Sequence, residues 1–200
     1  MTIFYLIRHG QKAHGNLSDA LTPLGQRQAQ QTAVYLQQQP VQRFYTSPID
    51  RAKATAAIIA ATIQLPAIEE PLLRERANWG DLPGQSFEEF IAIWERCNRE
   101  RDWQPPLGDS ARQAGERIER FIQTHAQTVE NELVVAVTHG GVIADFLLNV
   151  FPVATLVQVH PGFVAQPYSS AVIRECSITI VDYVAPTYHL VAIASVAHLE

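Results

Sequence analysis

Short runs of apolar residues alternate with longer amphipathic stretches along this chain. Residues 3–7, Ile-Phe-Tyr-Leu-Ile, contain no polar position that would mark an exposed face, so they predict a strand buried on both sides. Residues 133–137, Leu-Val-Val-Ala-Val, are of the same kind, and Phe44-Tyr45-Thr46 predicts a briefer strand. Between these runs the signals are helical. Thr22-Pro23 sets a hydroxyl cap before a proline at the first helical position, opening a helix to about residue 38 that stops before Pro40. Ser47-Pro48 repeats that signal ahead of an Ala- and Ile-rich helix over residues 49–63. Residues 66–85 carry several prolines and glycines and are expected to be mostly loop. Residues 86–101 and 110–129 predict helices, separated by a loop at 104–108. The strand at 133–137 runs into Thr138-His139-Gly140-Gly141 and a helix ending near Phe151. In the tail, residues 171–176, 178–184 and 188–194 predict two or three strands, the last a candidate for antiparallel pairing. Strands alternating with helices predict one domain over residues 1–200, a three-layer α/β/α sandwich around a mainly parallel sheet.

Composition narrows the partners. Two hundred residues, 47% of them hydrophobic, suffice for one well-buried core. The net charge of −5 argues against a broad nucleic-acid or anionic-membrane surface, so an anionic ligand needs a local basic pocket. Cys97 and Cys176 lie far apart, which points to neither a disulfide framework nor a zinc knuckle. The first apolar run is broken at once by Arg8 and His9, too soon for a signal-peptide core, and no run reaches the ~20 residues of a membrane span. A cytoplasmic protein is the expectation.

In a parallel sheet, ligands gather beyond the carboxyl ends of the strands. Two predicted strands end alike there, one in Arg8-His9-Gly10 and one in Thr138-His139-Gly140-Gly141. Each sets an imidazole at a strand exit, beside glycine that lets backbone approach a ligand. If the two strands are neighbours, both imidazoles and Arg8 converge. Arg51 lies in the first turn of the helix after Ser47-Pro48, and its guanidinium, like that of Arg8, can grip two phosphate oxygens. The helix N-terminus at Gly140-Gly141 adds backbone donors and a positive dipole end. Two arginines, two histidines and a helix N-terminus suit a dianionic phosphoryl group. No ligand spacing for Mg²⁺ or Zn²⁺ accompanies them, so neither a metal nor another cofactor is expected.

The segment Leu6-Ile7-Arg8-His9-Gly10 resembles the signature of the histidine phosphatase superfamily, and the likeness continues in order along the chain. Leu21–Ala29 (in full, Leu-Thr-Pro-Leu-Gly-Gln-Arg-Gln-Ala) is similar to the family's first-helix start, and Thr46-Ser47-Pro48-Ile49-Asp50-Arg51-Ala52 to its arginine segment. Leu73-Arg74-Glu75 lies where the family carries its proton-donating glutamate. Gly108-Asp109-Ser110 resembles its Gly-Glu-Ser, with Asp109 for Glu, and Val137-Thr138-His139-Gly140-Gly141 its second histidine segment. The resemblance implies a phosphoglycerate mutase-like fold and a metal-independent phosphatase acting on a small phosphorylated substrate. His9 would attack phosphorus through one ring nitrogen while the other donates to a backbone carbonyl such as that of Gly10. Arg8, Arg51 and His139 would hold the phosphoryl oxygens, with Gly140 beside them. Glu75 would protonate the leaving oxygen and then activate water.

The chain departs from the family pattern in two places. Gln11-Lys12 stands for the common Glu-Ser pair, and Leu82-Pro83 falls where the family has an aromatic and an acid. Both leave the phosphate pocket intact and bear on which substrate is taken. Asn16, Lys12 and His14 follow the nucleophile, where each is either a substrate contact or a plain loop residue. Arg76 and Trp79 stand between substrate contact and packing in the same way. His125, His160, His189 and His198 have no expected catalytic part. A phosphoglycerate mutase and a non-catalytic phosphate-binding module are the competing readings. The short interval from Glu75 to His139 favours hydrolysis over the first, and retention of all five site residues argues against the second.

Overall fold

The computed structural model describes residues 1–13, 19–126, 132–163 and 169–200. Its sheet has six strands: β1 (Thr2–Arg8), β2 (Val41–Thr46), β3 (Ile68–Glu69), β4 (Leu133–Thr138), β5 (Ile178–Val184) and β6 (Thr187–Ser195), in the order β3-β2-β4-β1-β5-β6. The first four in that order run parallel, and β5 and β6 join antiparallel. The helices are α1 (Pro23–Gln37), α2 (Asp50–Ile63), α3 (Phe87–Arg99), α4 (Ala111–Ala126), α5 (Gly140–Val150), α6 (Val153–Val159) and the short α7 (Ser169–Val172).

The continuous apolar strands have two faces to bury, and each has its own core. Phe4 and Leu6 of β1, with Val134 and Ala136 of β4, pack against Ile118 and Phe121 of α4 and Phe146 of α5. Ile7, Val135 and Val137 point the other way, onto Ala33 and Leu36 of α1 and Ala52, Ala56 and Ile59 of α2. The period of two therefore divides each strand between the helical layers, giving the expected three-layer α/β architecture. The alanines of α1 and α2 permit close approach.

Four local expectations change. Residues 171–176 form no strand. Arg8 Nη1 donates to Ile173 O at 2.7 Å, and the Cys176 N–H donates to Arg8 O at 2.9 Å, so this segment folds across the end of β1. Ser47 does not cap the helix after it: α2 starts at Asp50 without a side-chain cap, and the Ser47 hydroxyl lies 2.7 Å from His139 Nε2. Residues 68–69 add a two-residue edge strand inside the expected loop, and α6 follows Pro152 where no helix was expected. By contrast, Thr22 caps α1 as its sequence predicts, accepting from Gly25 N at 3.1 Å. The end of the helix expected over 110–129 lies outside the described residues. No helix among the described residues is long and apolar enough to cross a membrane.

Candidate active site

The parallel pairing of β1 with β4 sets Arg8 opposite Thr138. The next residues on both strands, His9 and His139, are therefore neighbours, with ring centroids 5.2 Å apart. The His9 backbone N–H continues the ladder to Thr138 O at 2.9 Å. Gly10 follows because the chain must pass close to α1. A Cβ there would come within 2.6 Å of Gly25 O, and the Gly10 N–H donates to Thr55 Oγ1 of α2 at 2.9 Å.

His9 is 6% exposed and His139 fully buried. His9 Nδ1 lies 2.8 Å from Gly10 O, and because a carbonyl only accepts, Nδ1 carries the proton. Nε2 is then an unprotonated acceptor, and Arg51 Nε donates to it at 3.1 Å. Burial, reinforced by the Arg51 and Arg8 charges, holds the His9 pKa well below 6.5. The same burial, with Arg51, lowers His139. Both rings are neutral at neutral pH.

The cations are engaged by nearby anions and amides. Arg51 donates through Nη1 to both Asp19 oxygens, at 2.9 and 3.1 Å, and through Nη2 to Asn78 Oδ1 at 2.7 Å. Lys12 donates to the same Asp19 at 2.9 Å. Arg8 pairs with Glu175 at 2.8 Å. The buried nitrogens without a partner among the described residues include Arg8 Nε and His139 Nδ1. Orphaned buried nitrogens of this kind are rare in folded proteins and fit a pocket shaped for an absent acceptor.

Glu75 is 7% exposed and held from both sides. Its Oε1 accepts from Arg76 N at 2.8 Å, and its Oε2 from Gly141 N in the first turn of α5 at 3.0 Å. Gly141 is required: a Cβ there would lie 2.6 Å from the Trp94 ring and 2.7 Å from Glu75 Oε1. The segment before Glu75 is fixed by Arg117, which donates to the carbonyls of Leu72 and Arg74 at 2.7 and 2.8 Å and pairs with Asp109 at 2.9 Å. Asp109 thus serves the loop that carries Glu75. Arg76 turns inward, fully buried, to Asp145 of α5 at 3.1 Å, and lies 3.9 Å from the Trp94 ring centre.

Arg8, His9, Arg51, Glu75, Gly140 and Gly141 therefore border one cavity of about 250 Å³, whereas His139, fully buried beside His9, is not among its lining residues. Lys12 and Trp79 also border it. Asn16 and His14 lie outside the described residues. Sequence reasoning missed Asp19, Asn78, Glu175 and Trp94. The first three meet the site across loops and carry no local signal. Trp94 had one, since Phe87, Phe90, Ile91 and Trp94 form a stripe at helical spacing. The arrangement joins a neutral imidazole acceptor, a cationic cradle and a buried carboxyl.

The family model described as histidine phosphatase superfamily (branch 1) matches residues 4–194. The chain belongs to that superfamily. The protein called uncharacterized phosphatase PhoE, from Bacillus subtilis, is 31% identical over 157 residues, covering 75% of this chain and 78% of that one. YhfR of Bacillus stearothermophilus shares the fold over the full length of both chains, with a TM-score of 0.74 at 24% identity. A phosphoserine phosphatase mutant from Entamoeba histolytica, solved with phosphoserine, also covers both chains completely, with a TM-score of 0.71 at 22% identity. Members of this superfamily similar to this chain thus include phosphatases, and other relatives are described as probable phosphoglycerate mutases.

Proposed function

We propose that this protein hydrolyses a small phosphate monoester through a phosphohistidine on His9, without a metal. The observation that carries the reading is His9 itself, a neutral buried imidazole whose unprotonated Nε2 borders a cavity walled by Arg8 and Arg51. A phosphoryl group arriving there displaces the Asp19 carboxylate from Arg51 and gives an acceptor to Arg8 Nε and His139 Nδ1, which have none among the described residues. His9 Nε2, released from Arg51 Nε, attacks phosphorus as the P–O bond to the leaving group breaks. Glu75 gives its proton to the departing oxygen, then takes one from the water that cleaves the P–N bond, which returns His9 neutral and frees phosphate. Negative charge that grows on the equatorial oxygens is met by arginines already in place.

Residues 1–200 act in this reading as one catalytic domain, in the cytoplasm, where the buried free thiols of Cys97 and Cys176 stay reduced. Among the described residues only the helices α3 and α4 intervene between Glu75 and β4, and the exposed Phe87 in the cavity lining leaves an opening through which water can enter. That access supports hydrolysis over isomerisation. The test is brief incubation with a ³²P-labelled ester. Label that is acid-labile and base-stable, absent from His9→Ala along with turnover, is expected. Label that persists in His9→Ala, or 3-phosphoglycerate isomerised faster than it releases phosphate, overturns the reading.

A further inference from the structure

Helix α3 is amphipathic, yet it contributes only Cys97 to the buried core. Its apolar stripe, Phe87, Phe90, Ile91 and Trp94, faces the active-site cavity instead. Trp79 extends the stripe from the preceding loop. The rings follow one another, Trp79 to Phe87 at 5.0 Å, Phe87 to Phe90 at 6.4 Å and Phe90 to Trp94 at 5.8 Å. The inner end of this row is fixed. Trp94 is pinned between the buried Arg76 guanidinium and Gly141, and Gly141 N donates to Glu75. The outer end is the half-exposed Phe87. The wall thus starts at Glu75, where a leaving oxygen would receive its proton, and runs out to solvent.

Charge is distributed unevenly along the same cavity. Its cations, Arg8, Lys12 and Arg51, all lie at the His9 end and are paired with Glu175 or Asp19. Arg76 is shielded behind Trp94 and committed to Asp145 and Asn98. Among the described residues no cation lines the aromatic wall, and residues 14–18, 127–131 and 164–168 contain no lysine or arginine. A second anionic group on the substrate would lose water there and gain no counter-charge.

We infer that the row from Trp79 to Trp94 is a leaving-group subsite for a flat, apolar, ring-bearing alcohol or phenol, and that it selects against phosphate esters carrying a carboxylate. This rests on the phosphatase reading above. Ring burial against the wall favours the apolar ester, and the uncompensated charge disfavours the acidic one.

The test compares 2-phenylethyl phosphate with 3-phosphoglycerate, both esters of primary alcohols, so that leaving-group basicity differs little. In the wild type, kcat/KM for phosphate release should favour the phenylethyl ester by about 10- to 100-fold, the span expected from burying one such ring. Phe90→Ala should cut that ratio by about tenfold, while the Ki for vanadate, which needs only the His9 end, stays put. Phe90→Lys should raise kcat/KM for 3-phosphoglycerate, which reports on the subsite even if the alanine variant is poorly folded. A wild-type ratio near one or reversed, or ratios untouched by either variant, overturns the subsite and leaves hydrolysis standing. Phosphate release from neither ester nor from p-nitrophenyl phosphate sinks the phosphatase reading itself, and the subsite with it.

Discussion

At the residue scale the site depends on which protons are where. His9 is kept neutral by burial and by Arg51, and its Nδ1 proton is spent on Gly10 O, so Nε2, which accepts from Arg51 Nε, is the unprotonated nitrogen. Glu75 is placed by two backbone N–H groups, one from its own chain neighbour and one from α5. A general acid matters in proportion to how poorly the leaving group departs without a proton. Glu75→Gln preserves size and cannot deliver one. Phosphorylation of His9 by an alkyl phosphate should therefore slow by about 10²–10⁴-fold, and by far less with p-nitrophenyl phosphate. Single-turnover rates isolate this step from hydrolysis of the phosphohistidine. Equal slowing with both substrates would remove Glu75 as the proton donor. His9, Arg8 and Glu75 could be named from their places in ordered sequence blocks. Asp19 and Asn78, which hold Arg51, could not, because each reaches it from a loop remote in sequence.

At the element scale, one helix ties the Glu75 side of the cavity to its aromatic wall. The N-terminus of α5 binds Glu75 through Gly141. One turn on, Asp145 receives Arg76 and Arg101, at 3.1 and 3.3 Å. Asp145 is fully buried, and burial raises its pKa to about 6 despite the two guanidiniums. Its carboxylate is nonetheless the shared counter-charge of both arginines. Asp145→Ala removes the counter-charge of the fully buried Arg76 and of the part-buried Arg101 and should cost about 3–5 kcal/mol of stability. Urea unfolding would show this as a lower midpoint at unchanged slope, and a loss below about 1 kcal/mol would mean that water reaches the pair. The helix expected over residues 86–101 forms as α3, and the structure adds a full capping box between Ser86 and Glu89 at its start. An apolar stripe at helical spacing ordinarily packs into a core. This one faces the cavity instead, because α1, α2, α4 and α5 already cover both faces of the sheet.

At the scale of the whole molecule, buried neutral groups set how stability responds to pH. His9, His139, His125 and His198 all have pKa values lowered by burial. Below pH 6.5 the unfolded chain takes up protons that the folded chain does not, so stability falls as pH drops through that value. Asp145 acts in the opposite sense: its cost, fully present above pH 6, is relieved as it protonates in the fold, offsetting about one histidine. On the alkaline side, Cys176, Tyr5 and Tyr188 are pushed up to about 12, so stability falls again once their unfolded counterparts ionise above pH 9 to 10. Melting temperature should therefore peak between about pH 6.5 and 9. A curve that keeps rising from pH 7 to pH 5.5 would contradict neutral burial of the histidines. The sequence by itself determined the strand and helix layers, the family and most of the charged residues that the structure gathers at one cavity, because apolar period, cap chemistry and ordered motifs are local properties. Only the tertiary structure decided that β1 and β4 are neighbours, that Ser47 serves His139 and that the α3 stripe lines the site. Each of those depends on which surfaces remain uncovered once the sheet has its helices, a property of the packed whole.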